Sequence, residues 1–244
     1  MRLGFLLLAL AATVACAMAT PADPPPPRPP APSADGDSTA TPAAGPTTDR
    51  DGCDWRQRVL PGDRDRVLVD LAALAARVPG NGRMPDYQQA DLRAASDDAL
   101  DQVRALLARA ASPLPLGAIE GVWQVRSLQV GVDGAFDYPF FRARIEPDAC
   151  GLRFAKVTGS QRRSGLLSPV AGDDARLAFL GTATVNDNPE GGYGPEQAPL
   201  GTPAGAEGLR PVNSAGQLLR IGPRELLLAL DVQDDGFELY HLRR

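Results

Sequence analysis

Of the 25 basic residues in this 244-residue chain, only Lys156 is a lysine. With alanine, glycine and proline abundant, that bias reads as genomic base composition rather than function. Histidine is equally scarce, with His241 alone near the C-terminal end. A Ser-His-Asp or Cys-His pair would have to use it, and no Gly-x-Ser-x-Gly elbow accompanies it. One histidine and few cysteines also leave too few ligands for a zinc centre. Aromatic residues make up 5%. No apolar run reaches the roughly 20 residues that a membrane-spanning helix needs. Positive charge is not in excess: the net charge is −5, which argues against nucleic acid as a partner. There is no internal repeat.

The start of the chain is the most legible part. Met1-Arg2 is basic, Leu3 to Val14 is apolar, and Ala15 to Ala19 are mostly small. That order predicts a secretory signal over residues 1–19. Two processing routes are open. Ala17-Met18-Ala19 fits ordinary cleavage before Thr20, whereas Thr13-Val14-Ala15-Cys16 is similar to a bacterial lipobox with Cys16 lipidated. Residues 20–50 follow as a tether: between Pro21 and Arg50 ten of thirty residues are proline. Such a stretch stays extended and cannot bury a core. A tether of this kind suits an anchored protein. The expected place is therefore the periplasm or cell envelope, with contact to the membrane through a lipid anchor only.

Cys53 and Cys150 remain once Cys16 is set aside. In an oxidising compartment they pair most simply with each other. The loop so closed, about 100 residues, is worth about 4 kcal/mol in the chain-entropy model.

Residues 51–244 are expected to fold as one domain, α+β and mostly β. Over residues 51–112 the apolar spacing is helical. Val67, Leu71, Leu74, Ala75 and Val78 form one stripe and Pro79-Gly80 stops it. Ser96 is expected to cap a second helix whose face is Leu100, Val103, Leu106, Leu107 and Ala110. From 117 to 244 the period changes to two. About eight short strands, at 122–128, 138–145, 152–158, 165–169, 176–185, 217–221, 225–231 and 237–242, are separated by turn signals such as Asp133-Gly134 and Gly222-Pro223. An antiparallel barrel or strongly curved sheet is the expected closure. Gly121-Val122-Trp123 is similar to the start of lipocalin-like barrels, where the Trp plugs one end; the plainer reading is a core Trp on a first strand. The Gly- and Pro-rich Asn186 to Asn213 stretch is expected to be a mobile loop.

The most distinctive polar motif runs from Lys156 to Gly165. Lys156, Ser160, Gln161, Arg162 and Arg163 cluster cations, a hydroxyl and an amide at an expected strand-turn-strand. Arginine forks suit carboxylate or phosphate, so one reading is a site for an anionic envelope component. The other is a polar hairpin whose arginines pair with nearby acids. Asp187, Asp231, Asp234 and Asp235 could in principle ligate calcium, but they lack EF-hand spacing and fit turn chemistry better. No pattern points to a cofactor.

Several blocks resemble one bacterial family of exported proteins, the domain of unknown function numbered 4893. They are Cys53-Asp54-Trp55, Tyr138-Pro139-Phe140-Phe141, Leu152-Arg153-Phe154-Ala155-Lys156 with Thr158-Gly159-Ser160-Gln161-Arg162, and Phe179-Leu180-Gly181-Thr182. The resemblance implies an exported, sometimes lipid-anchored protein, and it brings no activity, cofactor or catalytic residue. The resulting expectation is a non-enzymatic, tethered domain that binds an envelope ligand or protein, inhibitor-like in one version. The alternative is an envelope hydrolase using acidic residues, with Asp187 its most exposed candidate.

Overall fold

The computed structural model describes residues 53–85, 88–186, 188–200, 202, 210–233 and 235–244. The expected signal, the Cys16 lipidation and the Pro-rich tether lie outside the described residues, as do Asp187 and Asp234.

Alternating apolar residues from Gly121 onward produce nine antiparallel strands. They are β1 (Gly121–Gly131), β2 (Gly134–Asp137), β3 (Phe141–Asp148), β4 (Gly151–Lys156), β5 (Gln161–Val170), β6 (Asp173–Val185), β7 (Val212–Gly222), β8 (Glu225–Gln233) and β9 (Gly236–Arg243). The sheet runs β1-β3-β4-β5-β6-β7-β8-β9, and β9 pairs back onto β1. The result is a closed eight-stranded barrel, with β2 as one outer strand. Closure removes the exposed sheet edges that an open meander would leave.

The outer strand departs from expectation. β9 occupies one edge of β1 from Gln124 to Gly131, and β3 takes the other edge from Gly121 to Val125. β2 continues that second edge opposite Leu128–Gly131. Pro139, which has no N–H to donate, interrupts the edge between them. Tyr138 N donates to Ser127 O at 2.9 Å, and pairing resumes at Phe141. The strand expected from Tyr138 therefore starts three residues later, and a short strand follows directly on the Asp133-Gly134 turn.

Inward residues of the barrel alternate with outward ones. Trp123, Val125, Ile145, Phe154, Leu167, Phe179, Leu218, Leu228, Tyr240 and Leu242 fill the interior. Small barrels of eight strands have an interior that side chains can fill. Gly165 and Gly181 face each other across β5 and β6, and a Cβ on Gly181 would lie 2.2 Å from Ser164 O and 2.6 Å from the Phe179 ring. The Phe179-Leu180-Gly181 block thus lets an aromatic ring lie over backbone where no side chain fits.

One end of the barrel is shut. The segment 114–120 crosses it, with Leu114 N donating to Arg220 O at 2.9 Å and Leu116 N to Asp174 O at 3.0 Å. Leu116 and Ile119 join the interior cluster. Trp123 Nε1 donates to Ile119 O at 2.8 Å, and the Arg244 guanidinium stacks on the indole at 3.9 Å. Trp123 is thus a core residue of the first strand that also plugs this end.

A second core lies outside the wall. α3 (Leu71–Ala76) and α4 (Ala90–Ala110) pack Leu71, Leu74, Leu100, Val103 and Leu107 against Leu128, Leu219, Leu227 and Leu239. α1 (Trp55–Arg58) and α2 (Arg64–Val67) cover β6 and β7 through Trp55, Val59, Val67, Ala178, Leu180 and Ala215. The helix expected over 67–78 is broken at Leu68–Asp70, where Asp70 caps α3 by accepting from Ala72 N at 2.9 Å. Ser96 is not a cap. α4 begins at Ala90, and buried Ser96 Oγ accepts the N–H of Ala135 at 3.0 Å. The helix-favouring alanines before Ser96 extend the helix, and the β2 backbone supplies a donor that competes with local capping.

The Asn186–Asn213 connection is less free than expected over its described part. Thr182 Oγ1 donates to Gly191 O at 2.8 Å, and Asn213 Nδ2 donates to Gly194 O at 2.8 Å. Ala198 N donates to Pro211 O at 3.1 Å, and Tyr193 OH donates to the Asp63 carboxylate. Cys53 and Cys150 are joined by a disulfide spanning 97 residues. No helix among the described residues is long and apolar enough to cross a membrane.

Candidate functional site

Polar side chains gather at the barrel end opposite Trp123. Arg163, on β5, hydrogen-bonds Asp231 Oδ2 through Nε at 3.0 Å and Nη2 at 2.7 Å. Its Nη2 also pairs with Glu238 Oε2, and its Nη1 donates to Tyr240 OH at 3.4 Å. β5 is not a neighbour of β8 or β9, so these contacts run through the interior. Glu238 accepts from Ser127 Oγ, and Asp231 Oδ1 accepts from Ser214 Oγ at 2.7 Å and Ala215 N at 3.2 Å. Farther out, Gln129 Nε2 donates to Gln161 Oε1 at 2.9 Å, spanning the opening from β1 to β5.

A bulge makes this network. Pairing of β8 with β9 slips between Leu230 and Gln233, and Asp231 adopts φ +52. Asp231 therefore turns inward directly after the inward-facing Leu230. Aspartate tolerates that backbone better than most residues, and bulges commonly re-aim side chains in this way.

Electrostatics follow from burial. Desolvation would lower Arg163, but Glu238 and Asp231 outweigh it and hold the guanidinium charged, well above its ordinary value. Burial pushes the Tyr240 hydroxyl up, and the Glu238 charge adds to the effect. Lys156 is different. It is 4% exposed at the end of β4, and its Nζ lies 4.6 Å from the Phe141 ring centre and 5.4 Å from that of Tyr240. Among the described residues it makes no hydrogen bond or ion pair. Desolvation lowers its pKa to about 8, with Glu238 opposing and Arg163 and Arg162 reinforcing.

The five residues singled out in the sequence are thus divided. Lys156, Gln161 and Arg163 face the interior. Ser160 and Arg162 lie on the rim and outer wall: Arg162 Nε donates to Gly159 O at 3.0 Å, and Asn186 N donates to Ser160 O at 2.6 Å. The rim turn and the start of the β6–β7 connection therefore lie side by side. The pairing of Arg163 with acids came from Asp231 and Glu238. Asp231 read as a turn residue, and Glu238 gave no signal beyond a lone acid inside an apolar strand.

His241 lies apart, on the outer wall. Its Nε2 shares a 2.9 Å hydrogen bond with Glu225 Oε1, and Arg109 of α4 binds the same carboxylate. Burial lowers the His241 pKa and Glu225 opposes. This trio fastens the end of α4 to the barrel. Among the described residues no three His, Cys, Asp or Glu side chains are grouped to hold a metal ion.

A family model described as Domain of unknown function (DUF4893) matches residues 55–234. No curated protein matches the chain.

Proposed function

The chain belongs to the DUF4893 family, and on that premise we propose that it is an exported envelope protein, held by its N-terminal tether, that acts by binding and not by turnover. The observation that carries this reading is the Arg163–Asp231–Glu238 cluster inside a filled barrel. Both interior carboxylates serve as counter-ions to one guanidinium, which leaves neither as a free acid or base. Apolar side chains fill the interior from this polar end towards Trp123. The rim beside Ser160 and Arg162, where the β4–β5 turn meets the β6–β7 connection, is the surface offered to a ligand or partner protein.

The test is native mass spectrometry on the protein extracted from its own envelope. The expected mature chain starts at Cys16, carries acyl mass and is two hydrogens light, with further mass retained under gentle ionisation. A bare chain starting at Thr20 removes the lipid anchor. A chain with no retained mass, and with measurable hydrolysis of envelope material, replaces binding by catalysis.

A further inference from the structure

We propose that the outer wall formed by the start of β1, the start of β3 and the end of β9 is a membrane-contact face: its arginines, set around two accessible apolar side chains, fit an anionic lipid surface. The inference goes beyond the binding reading, and it adds a second contact to the expected lipid anchor.

Strand parity builds the face. Trp123, Val125, Ala143, Ile145 and Leu242 point into the barrel, so Val122, Gln124, Arg126, Arg142, Arg144 and Arg243 point out. Register sets them side by side: Gln124 lies between Arg142 and Arg243, and Val122 lies opposite Arg144. The same strands change character along their length. Farther along β1 and β9 the outward residues are Leu128, Val130, Phe237 and Leu239, which pack into the core shared with α3 and α4. Where that apolar cover ends, arginine takes over.

Two features distinguish the face from an ordinary solvated wall. The first is charge. Arg126 pairs with Asp137 at 2.9 Å and Arg144 with Glu146 at 3.6 Å. Arg142 and Arg243 are exposed and pair with no acid among the described residues; Arg243 Nε donates to the Gln124 amide oxygen at 3.1 Å. Glu225, next to Arg243 in the register, is bound by Arg109 and His241. Four guanidiniums against two carboxylates leave two positive charges in excess, on a chain whose net charge is −5. The second feature is apolar exposure. Val122 is 60% exposed, the highest value for a large apolar side chain among the described residues. The half-buried Phe140 ring has the Arg243 guanidinium 3.7 Å and the Arg126 guanidinium 5.2 Å from its centre.

Arginine stems and rings beside exposed aliphatic groups suit the boundary between an anionic headgroup layer and the acyl chains. The wall of a closed barrel is convex, which fits a broad surface better than an extended peptide. The attachment of the chain agrees with this placement. Cys53 is bonded to Cys150, which follows β3, the strand that carries Arg142 and Arg144.

The test uses the mature chain from Thr20, which carries no acyl group. It is mixed with vesicles of phosphatidylglycerol or of phosphatidylcholine, and the bound fraction is read by sedimentation. The expected result is partitioning onto phosphatidylglycerol alone, lost at high salt. An arginine near an anionic surface contributes roughly fivefold to partitioning, so Arg142→Gln with Arg243→Gln should weaken it about 25-fold. Val122→Ser should weaken it with the charge unchanged. Arg58→Gln with Arg64→Gln, exposed residues of α1 and α2, removes the same charge and should change little. All these side chains are exposed, so the variants should keep the parent's melting temperature. Equal weakening by the two double variants would reduce the effect to net charge and overturn the face. Partitioning onto phosphatidylcholine to the same extent, or no partitioning at all, would also overturn it. Binding of soluble polyglutamate as tight as binding to the vesicles would reassign the face to an acidic polypeptide. Native mass spectrometry reads the anchor and the vesicles read this face, so either can fail alone.

Discussion

Replacing Arg163 with methionine strands two buried carboxylates, Asp231 and Glu238. Removing one partner of a buried ionic cluster typically costs about 3–5 kcal/mol, so Arg163→Met should lose stability on that order in urea unfolding. A loss below about 1 kcal/mol would mean that water already neutralises the acids. Lys156 should behave in the opposite way. The folded chain releases its proton near pH 8, the unfolded chain near 10.5. Between those values the unfolded state holds more protons, so the Lys156 contribution to stability rises with pH across that window. Lys156→Met should abolish the rise and be no less stable than the parent at pH 7. A stability difference between the two proteins that stays flat from pH 8 to 10.5 contradicts this account. At this scale the sequence was half legible. The cation cluster stood out, but its placement at a turn hid the strand parity that sends Arg163 inward and Arg162 outward. Asp231 was harder still, because only the bulge puts two successive residues on one face.

Among elements, a buried hydrogen bond joins α4 to β2 where Ala135 packs in the same apolar cluster as the helix. Ser96→Ala deletes the acceptor for Ala135 N–H, and an unsatisfied buried donor costs about 1–3 kcal/mol. The variant should melt lower while α4 keeps its helicity by circular dichroism. Were Ser96 a cap, the helix signal would fall instead. The strand series was readable because period two persists through β1 and β3 to β9. β2 was not, since four residues beside a turn carry too little pattern. The break at Leu68–Asp70 was hidden because the apolar stripe continues across it. The described part of the β6–β7 connection looked mobile from its glycines and prolines, and the bonds through Asn213 and Tyr193 join residues too far apart in sequence to be seen there.

For the whole molecule, closure follows from β9 returning to β1, a pairing of residues over 100 positions apart. The number of strands and the Trp123 plug hinted at it, but the register could not be read. The Cys53–Cys150 bridge was argued from compartment and count, and it spans 97 residues. Cys150→Ser should lower the melting temperature by on the order of 10 °C, from the chain-entropy value for such a loop and the usual conversion for a domain of this size. An unchanged melting temperature would mean that the bridge adds nothing beyond the barrel itself.

That bridge also decides how the molecule carries a load. A pull applied upstream of Cys53 passes through the sulfur–sulfur bond to Cys150, at the turn between β3 and β4. The four helices, all encoded between those cysteines, are bypassed and bear no tension. With a handle at each terminus, oxidised protein should keep the 97 residues of the loop hidden on mechanical unfolding. Reduction should release them as roughly 300 Å of additional contour length.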